Sequence, residues 1–337
     1  MVKILLTGGA GFIGSHLTEE LINHGYEVYV LDKLTYAGNI DNIKNFFTNK
    51  NFHFIRGDIN NRKLVKDLFK KVDKVIHLAA ETHIDRSLLD PDIFVKTDFL
   101  GTYNLLEILK EYPKERFIHI STSEVYGTAT YSPIDEEHPL NPQSPYAATK
   151  VGAERLCYAY YTTYNLPIII LRPFNIYGER QYPEKLIPFF ITQALEDKPL
   201  FIYGDGENTR DYLYVKDFCE ILIKFLEAPI EKYQGKVFNI GSGKEYSVNE
   251  IAKQILAYLK KSKNLLKYIS DRKGHVKRLI CDYSKVKKEF DWQPKTFFEE
   301  GLKKTIEWYK ENESWWKKIK RRKVFRRFYY LNYIKRR

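Results

Sequence analysis

Apolar residues in the first half of this chain come in short, dense runs. Residues 2–7, 27–31, 52–56, 74–78 and 116–120 are each four to six positions of mainly aliphatic, often β-branched side chains. Runs of that length with little polar alternation read as strands covered on both faces, the pattern of a parallel sheet. Between them the period lengthens. Leu17, Leu21 and Ile22 fall on one face of a helix over 15–25, with Gly25 as its stop. Residues 62–71 and 94–111 read as further helices, and a helix through Tyr146 and Lys150 continues to about residue 164 before another buried strand at 168–172. Regular alternation of strand and helix predicts an α/β fold, a doubly wound parallel (Rossmann) sheet.

The pattern loosens after that strand. Pro183 and Pro188 break 181–187 into a loop, and short strands at 200–203 and 210–215 flank the turn Gly204-Asp205-Gly206. Helices are expected over 215–227, 248–259 and 298–312, with strands at 237–240 and 279–282. This reads as a smaller substrate-binding lobe interwoven with the sheet domain. The expected division is a dinucleotide-binding part over 1–175, a mainly substrate-binding lobe over 176–316, and a tail over 317–337.

Composition narrows the class. The 337 residues are 44% hydrophobic, enough for a full core. No run of 18 apolar residues exists to span a membrane. A strand at residue 2 leaves no room for a signal peptide, so a cytoplasmic location is expected. Cys157, Cys219 and Cys281 are far apart, without metal-type spacing, so neither a metal site nor a disulfide framework is expected. The net charge is +12, but eleven Lys and Arg and no acid lie in 317–337, leaving the body close to neutral. No specific nucleic-acid binding follows. The tail interleaves its cations with aromatics. On a helix Val324, Phe328 and Leu331 share a face, with Phe325 adjoining. It is expected to be solvated, docked on its own domain, or laid on an anionic membrane. Every chemical motif precedes Trp316, so a chain ending there is expected to stay active.

Two stretches carry chemistry. Glycines at 9, 11 and 14, preceded by Gly8, follow the first strand and open the first helix, matching G-x-G-x-x-G. Such a turn lets backbone N–H groups and a helix N-terminus approach a pyrophosphate. Asp32 ends the second strand, where a carboxylate accepts bonds from ribose hydroxyls and repels a 2′-phosphate, so NAD is expected over NADP; Lys33 beside it could greet a phosphate. Asp58, before Ile59, could meet the adenine amino group, and Ala79-Ala80 leave space at a strand end. The second stretch follows the strand at 116–120: Thr122-Ser123-Glu124, then Tyr146 and Lys150 four apart. On one helical face the lysine would lower the phenol's pKa towards neutrality, making Tyr146 a base while Thr122 holds a substrate oxygen. Glu124 offers a second base. A non-catalytic NAD-binding scaffold would not need all of these.

Together the segments TGGAGFIGSH (7–16), DKLTYAGN (32–39), HLAAETHIDRS (77–87), YPEKLIP (182–188), TRDYLYVKD (209–217) and DRKGHVKR (271–278) resemble the extended short-chain dehydrogenase/reductase family, closely its dTDP-glucose 4,6-dehydratases. The resemblance covers about residues 2–316. It implies a nucleotide-sugar substrate, tightly held NAD and a homodimer formed by helices like 94–111 and 147–164. For NAD it implies Gly8, Gly11, Phe12, Ile13, Gly14, Asp32, Lys33, Thr35, Asp58, Ile59, Leu78, Ala79, Ala80, Tyr146 and Lys150. For catalysis it implies Tyr146 with Thr122 and Lys150 at the 4-hydroxyl, Glu124 at C5, and Ser123 between Thr122 and Glu124 in the same catalytic set. For substrate it implies His83, Arg86, Asn175, Lys185, Leu186, Tyr203, Arg210, Asn239, Arg272 and His275. One position departs from that pattern. Typical dTDP-glucose dehydratases carry aspartate before the glutamate as an acid for the C6 hydroxyl; here Ser123 stands there, as in GDP-mannose dehydratases and UDP-glucuronate decarboxylases. A decarboxylase or 4-epimerase is therefore the alternative.

Overall fold

The computed structural model of the chain describes residues 1–271 and 274–335. Strands β1 (Lys3–Thr7), β2 (Glu27–Asp32), β3 (Phe52–Arg56), β4 (Lys74–His77), β5 (Arg116–Ile120) and β6 (Ile168–Pro173) form one sheet with the strand Val237–Ile240. The order is Val237–Ile240, β6, β5, β4, β1, β2, β3, every pairing parallel. Ile4, Leu6, Val30, Ile118 and Leu171 are wholly buried, as strands covered by helices on both faces require. The expected doubly wound sheet is what forms.

From β1 the chain steps outward through β2 to β3, then crosses back to β4 on the other side of β1 and steps outward again through β5 and β6. At such a switch point the loops diverge and leave a crevice beyond the carboxyl ends of the strands. Small sheets beyond that crevice come from later segments: Thr209–Tyr214 pairs with Asn175–Tyr177, Glu245–Ser247 and Arg278–Leu279, and Leu200–Tyr203 pairs with Leu266–Ile269. Meanwhile Val237–Ile240 returns to the main sheet, so the chain crosses between the two parts more than once.

Several bounds differ from expectation for physical reasons. The first helix spans Phe12–Asn23, three residues earlier than expected, because Gly11 in extended conformation already serves as its N-cap. The helix expected over 94–111 is α-helical at Asp92–Phe94, π-helical at Val95–Leu100, and α-helical again at Gly101–Glu111. The tail is neither a solvated extension nor a free amphipathic helix. It folds as Glu313–Lys320, Lys323–Tyr329 and a π-helical turn Tyr330–Ile334. Phe325, Phe328 and Tyr333 are buried and Val324 is exposed. The wider π-turn rotates Tyr333 inward, so the face expected from straight α-helical spacing is not the one that docks.

Candidate active site

A cleft of about 450 Å³ lies beyond the carboxyl ends of the parallel strands. Its floor begins at the glycine turn. Gly8 has φ +74, and a Cβ there would come within 2.9 Å of the Ala79 backbone. A Cβ on Gly14 would strike the Gly8 carbonyl. Gly8, Gly11, Phe12, Ile13 and Gly14 line the cleft. Gly9 does not; a Cβ there would press on Val30 at 2.6 Å, so that glycine serves helix–sheet packing. The cleft-facing register is therefore 8, 11 and 14. No side chain caps the helix start, leaving its first amides for a ligand.

Asp32 stands beside this turn, with Oδ2 accepting from the Ala10 amide at 2.9 Å and Oδ1 from the Leu34 amide at 2.8 Å. Burial raises its pKa and the two amides pull it back. Lys33 is held by Asp58 at 2.7 Å, which answers the sequence question of what that cation meets. Thr35, Asp58, Ile59, Leu78, Ala79 and Ala80 continue the same wall. A turn packed too closely for side chains at 8 and 14, free helix-end amides and a carboxylate at the second strand's end together fit a dinucleotide.

The opposite wall is built by β5 and the helix Pro145–Tyr164. Ser144 accepts from the Ala147 amide at 3.1 Å and Pro145 occupies the first turn, a start that fixes Tyr146 and Lys150 on the cleft face. Thr122 caps the short 3-10 turn Ser123–Tyr126 and its side chain hydrogen-bonds the Tyr146 phenol. Lys150, 4% exposed, donates to the Ile120 carbonyl at 2.6 Å. The expectation that Lys150 brings the phenol towards neutrality is not met in the protein alone. Burial pushes Tyr146 well above the usual phenol range; Thr122 pulls it down, and Asp98 and Glu124 push it further up. Glu124 lines the cleft, and Arg210 Nε lies 3.8 Å from its Oε1.

Of the expected substrate residues, His83, Asn175, Lys185, Leu186, Tyr203, Arg210 and His275 line the cleft, the last with Nδ1 2.6 Å from Asp271. Three expected residues do not. Ser123 is 1% exposed, turned into the body by the 3-10 turn, so it is not placed as a catalytic group. Arg86 grips Glu184 through two bonds of 2.8 and 2.6 Å and stacks 3.7 Å from the Tyr36 ring, bracing a loop. Asn239 is buried, accepting from the Tyr126 hydroxyl at 2.6 Å and donating to the Ile134 carbonyl. Arg272 lies outside the described residues.

Glu81 and Tyr333 are among the cleft residues that the sequence motifs did not single out. Glu81 sits in the quoted HLAAETHIDRS run, and burial first of all pushes its carboxyl up to about 7. Tyr333 reaches the cleft from the tail, its ring stacked on Phe189 at 4.7 Å and Phe201 at 5.4 Å. No spacing in the tail signals it, because the π-turn sets its direction. Among the described residues no His/Cys/Asp/Glu group could hold a metal ion.

Known proteins share this fold. The profile of the family described as GDP-mannose 4,6 dehydratase matches residues 5–305. The chain belongs to that family, within the extended short-chain dehydrogenase/reductases. It is 41% identical over 322 residues to a dTDP-glucose 4,6-dehydratase of an Actinoplanes species, covering 94% of this chain and 100% of that one. DesIV, a dTDP-glucose 4,6-dehydratase of Streptomyces venezuelae solved with NAD and TYD, superposes with a TM-score of 0.91 at 38% identity, covering 94% and 100% of the two chains. A dTDP-glucose 4,6-dehydratase of Bacillus anthracis in complex with NAD gives 0.87 at 41% identity, covering 95% and 100%.

Proposed function

We propose that this chain is an NAD-dependent nucleotide-sugar 4,6-dehydratase, with dTDP-glucose as its substrate. The observation that carries the reading is one cleft joining a dinucleotide cradle to Thr122, Tyr146, Lys150 and Glu124. Near-full-length likeness to dTDP-glucose 4,6-dehydratases supports the choice of substrate. In this reading residues 1–175 hold NAD, residues 176–316 hold most of the sugar nucleotide, and the tail closes one side.

NAD supplies the acceptor that takes a hydride from C4 of the sugar and later returns it to C6. Tyr146, steadied by Thr122, takes the proton of the 4-hydroxyl. The resulting 4-keto group acidifies C5, and Glu124 removes that proton. Ser123 is turned away, so Glu124 itself, now a carboxylic acid, passes the proton to the departing C6 oxygen, which leaves as water. C5 regains a proton drawn from solvent, matching the one Tyr146 releases. Arg210, Lys185 and His275 offer charge and donors to a diphosphate. We place the protein in the cytoplasm.

We further propose a homodimer. Leu88, Leu89, Val95, Leu100, Tyr103 and Tyr158 are exposed apolar side chains on the helices at 84–111 and 145–164, a face suited to a second copy. The tail's outward cations, including Arg321, Lys323, Arg326 and Arg327, offer a peripheral contact to anionic lipid, although its aromatic face is already spent on the body.

Incubation with dTDP-glucose, GDP-mannose, UDP-glucose and UDP-glucuronate, read by mass spectrometry, tests the reading. Loss of water from dTDP-glucose is expected. Loss of carbon dioxide from UDP-glucuronate, or no mass change with any of them, overturns it.

A further inference from the structure

The π-helical segment Val95–Leu100 interrupts an otherwise α-helical run and carries Asp98, which is 1% exposed. π-turns of this kind re-aim one side chain and recur at functional sites. Here Asp98 Oδ1 accepts from the Glu81 amide at 2.7 Å, and Oδ2 faces the Thr149 hydroxyl at 3.4 Å. Thr149 itself donates to the Tyr146 carbonyl at 2.8 Å and immediately precedes Lys150. Behind Asp98, its own carbonyl accepts from the Thr102 hydroxyl at 2.6 Å. That hydroxyl must then accept from His77 Nε2 at 3.0 Å, leaving His77 Nδ1 to accept from Thr7 at 2.8 Å. The Thr7–His77–Thr102 chain thus has every proton accounted for and fixes the π-turn against β1 and β4.

We propose that Asp98 is the anionic partner of the buried Lys150 and a positioning residue that sets how much of the Lys150 charge Tyr146 feels. This rests on the reading of Tyr146 as the base. A buried ammonium whose bonded acceptor is a neutral carbonyl calls for a nearby anion. The titratable groups facing the pair are Glu81 beyond β4, His77 on β4, His119 on β5, and Tyr146, Glu154 and Cys157 on the helix, with Glu124 on the far side of the phenol. His77 and His119 are held neutral by burial and by Lys150, so they supply no charge. Glu154 already lies between Arg172 and Ser121. Asp98, joined to that helix through Thr149 rather than by a direct ion pair, is therefore the acid left to balance Lys150. Burial pushes its carboxyl up to about 7 against the opposing pull of Lys150. When Asp98 is ionised the pair is neutral and the phenol stays weakly acidic. When it is protonated, the Lys150 charge is uncompensated and favours phenolate.

Two measurements on the full-length holoenzyme test this. Asp98→Asn keeps the shape and mimics the protonated acid, so the acid limb of the kcat/KM–pH profile is expected to move down by about one unit. A residue that merely braces the helix would lower the rate without moving the limb, and an unmoved limb overturns the proposal. Infrared spectroscopy, without substrate, follows the protonated-carboxyl band that Asp98→Asn deletes. Lys150→Met, or Lys150→Gln should the first fail to fold, is expected to raise the pH at which that band disappears. An unchanged midpoint also overturns the proposal. A wild-type protein inert towards dTDP-glucose would instead sink the proposed substrate, while the infrared result still decides the role of Asp98.

Discussion

At the scale of single residues the cleft is governed by burial. Tyr146 lies among apolar walls and two carboxylates, so its phenol is a poor acid until positive charge is added nearby. Tyr146→Phe removes the proposed proton acceptor but no packing. It is expected to lower turnover by about 10²–10⁴ while NAD stays bound, as judged by cofactor released on denaturation. Glu124→Gln should divide the reaction. C4 oxidation, seen as NADH absorbance in a single turnover, is expected to persist, while deuterium uptake at C5 and water loss fail. Uptake at the wild-type rate would remove Glu124 as the base. These residues were legible because chemistry demands particular side chains at particular spacings. The direction of Ser123, Arg86 and Asn239 was not legible, because a 3-10 turn, an ion pair and a buried hydrogen bond decide it.

At the scale of elements, the helix Pro145–Tyr164 is locked to β5 and β6 by one buried cluster. Arg172 on β6 donates from Nε and Nη2 to Glu154, Ser121 donates to the same carboxylate at 2.8 Å, and Arg172 Nη1 donates to the Tyr126 hydroxyl at 2.7 Å. Ser121 immediately precedes Thr122, so this cluster holds Thr122 and the helix of Tyr146 and Lys150, the two parts of one cleft wall, in register. Burial pushes Glu154 up, and the Arg172 bonds more than reverse it, leaving its carboxyl below the ordinary range. A depressed carboxyl stabilises the fold above its unfolded pKa, and that contribution is lost as pH falls through the folded value. Arg172→Met removes the buried partner of Glu154 and leaves it only Ser121 and the half-exposed Arg155. It is expected to cost up to about 3 kcal/mol in urea unfolding at neutral pH and to lessen the penalty of acid, because the less compensated carboxyl then gains from protonation. Strand and helix identity in this region followed from apolar period. The two π-turns did not, since an extra residue per turn leaves no mark on composition.

At the scale of the whole molecule the tail changes role. Phe328 packs on His83 at 5.0 Å and on the Arg86 guanidinium at 4.9 Å, and Tyr333 covers Phe189, Phe201 and Tyr203. A chain ending at Trp316 is therefore expected to lose activity and to melt earlier than the full chain, the reverse of the expectation from motif positions. Assays of both lengths decide it. Light scattering is expected to show a dimer, and Leu89→Glu with Leu100→Glu a monomer. What the sequence by itself determined is what short-range rules govern: buried runs became parallel strands, the glycine turn became part of a cleft floor, and Thr122, Glu124, Tyr146 and Lys150, picked out by type and spacing, came to line one cleft. Only the tertiary structure decided which of 8, 9, 11 and 14 face the cleft, that Asp98 reaches Thr149 on the helix of Tyr146 and Lys150, and that a cationic tail lends an aromatic ring to the cleft wall. Those outcomes depend on contacts between residues far apart in the chain, where packing volume and the burial of charge, not local period, choose the arrangement.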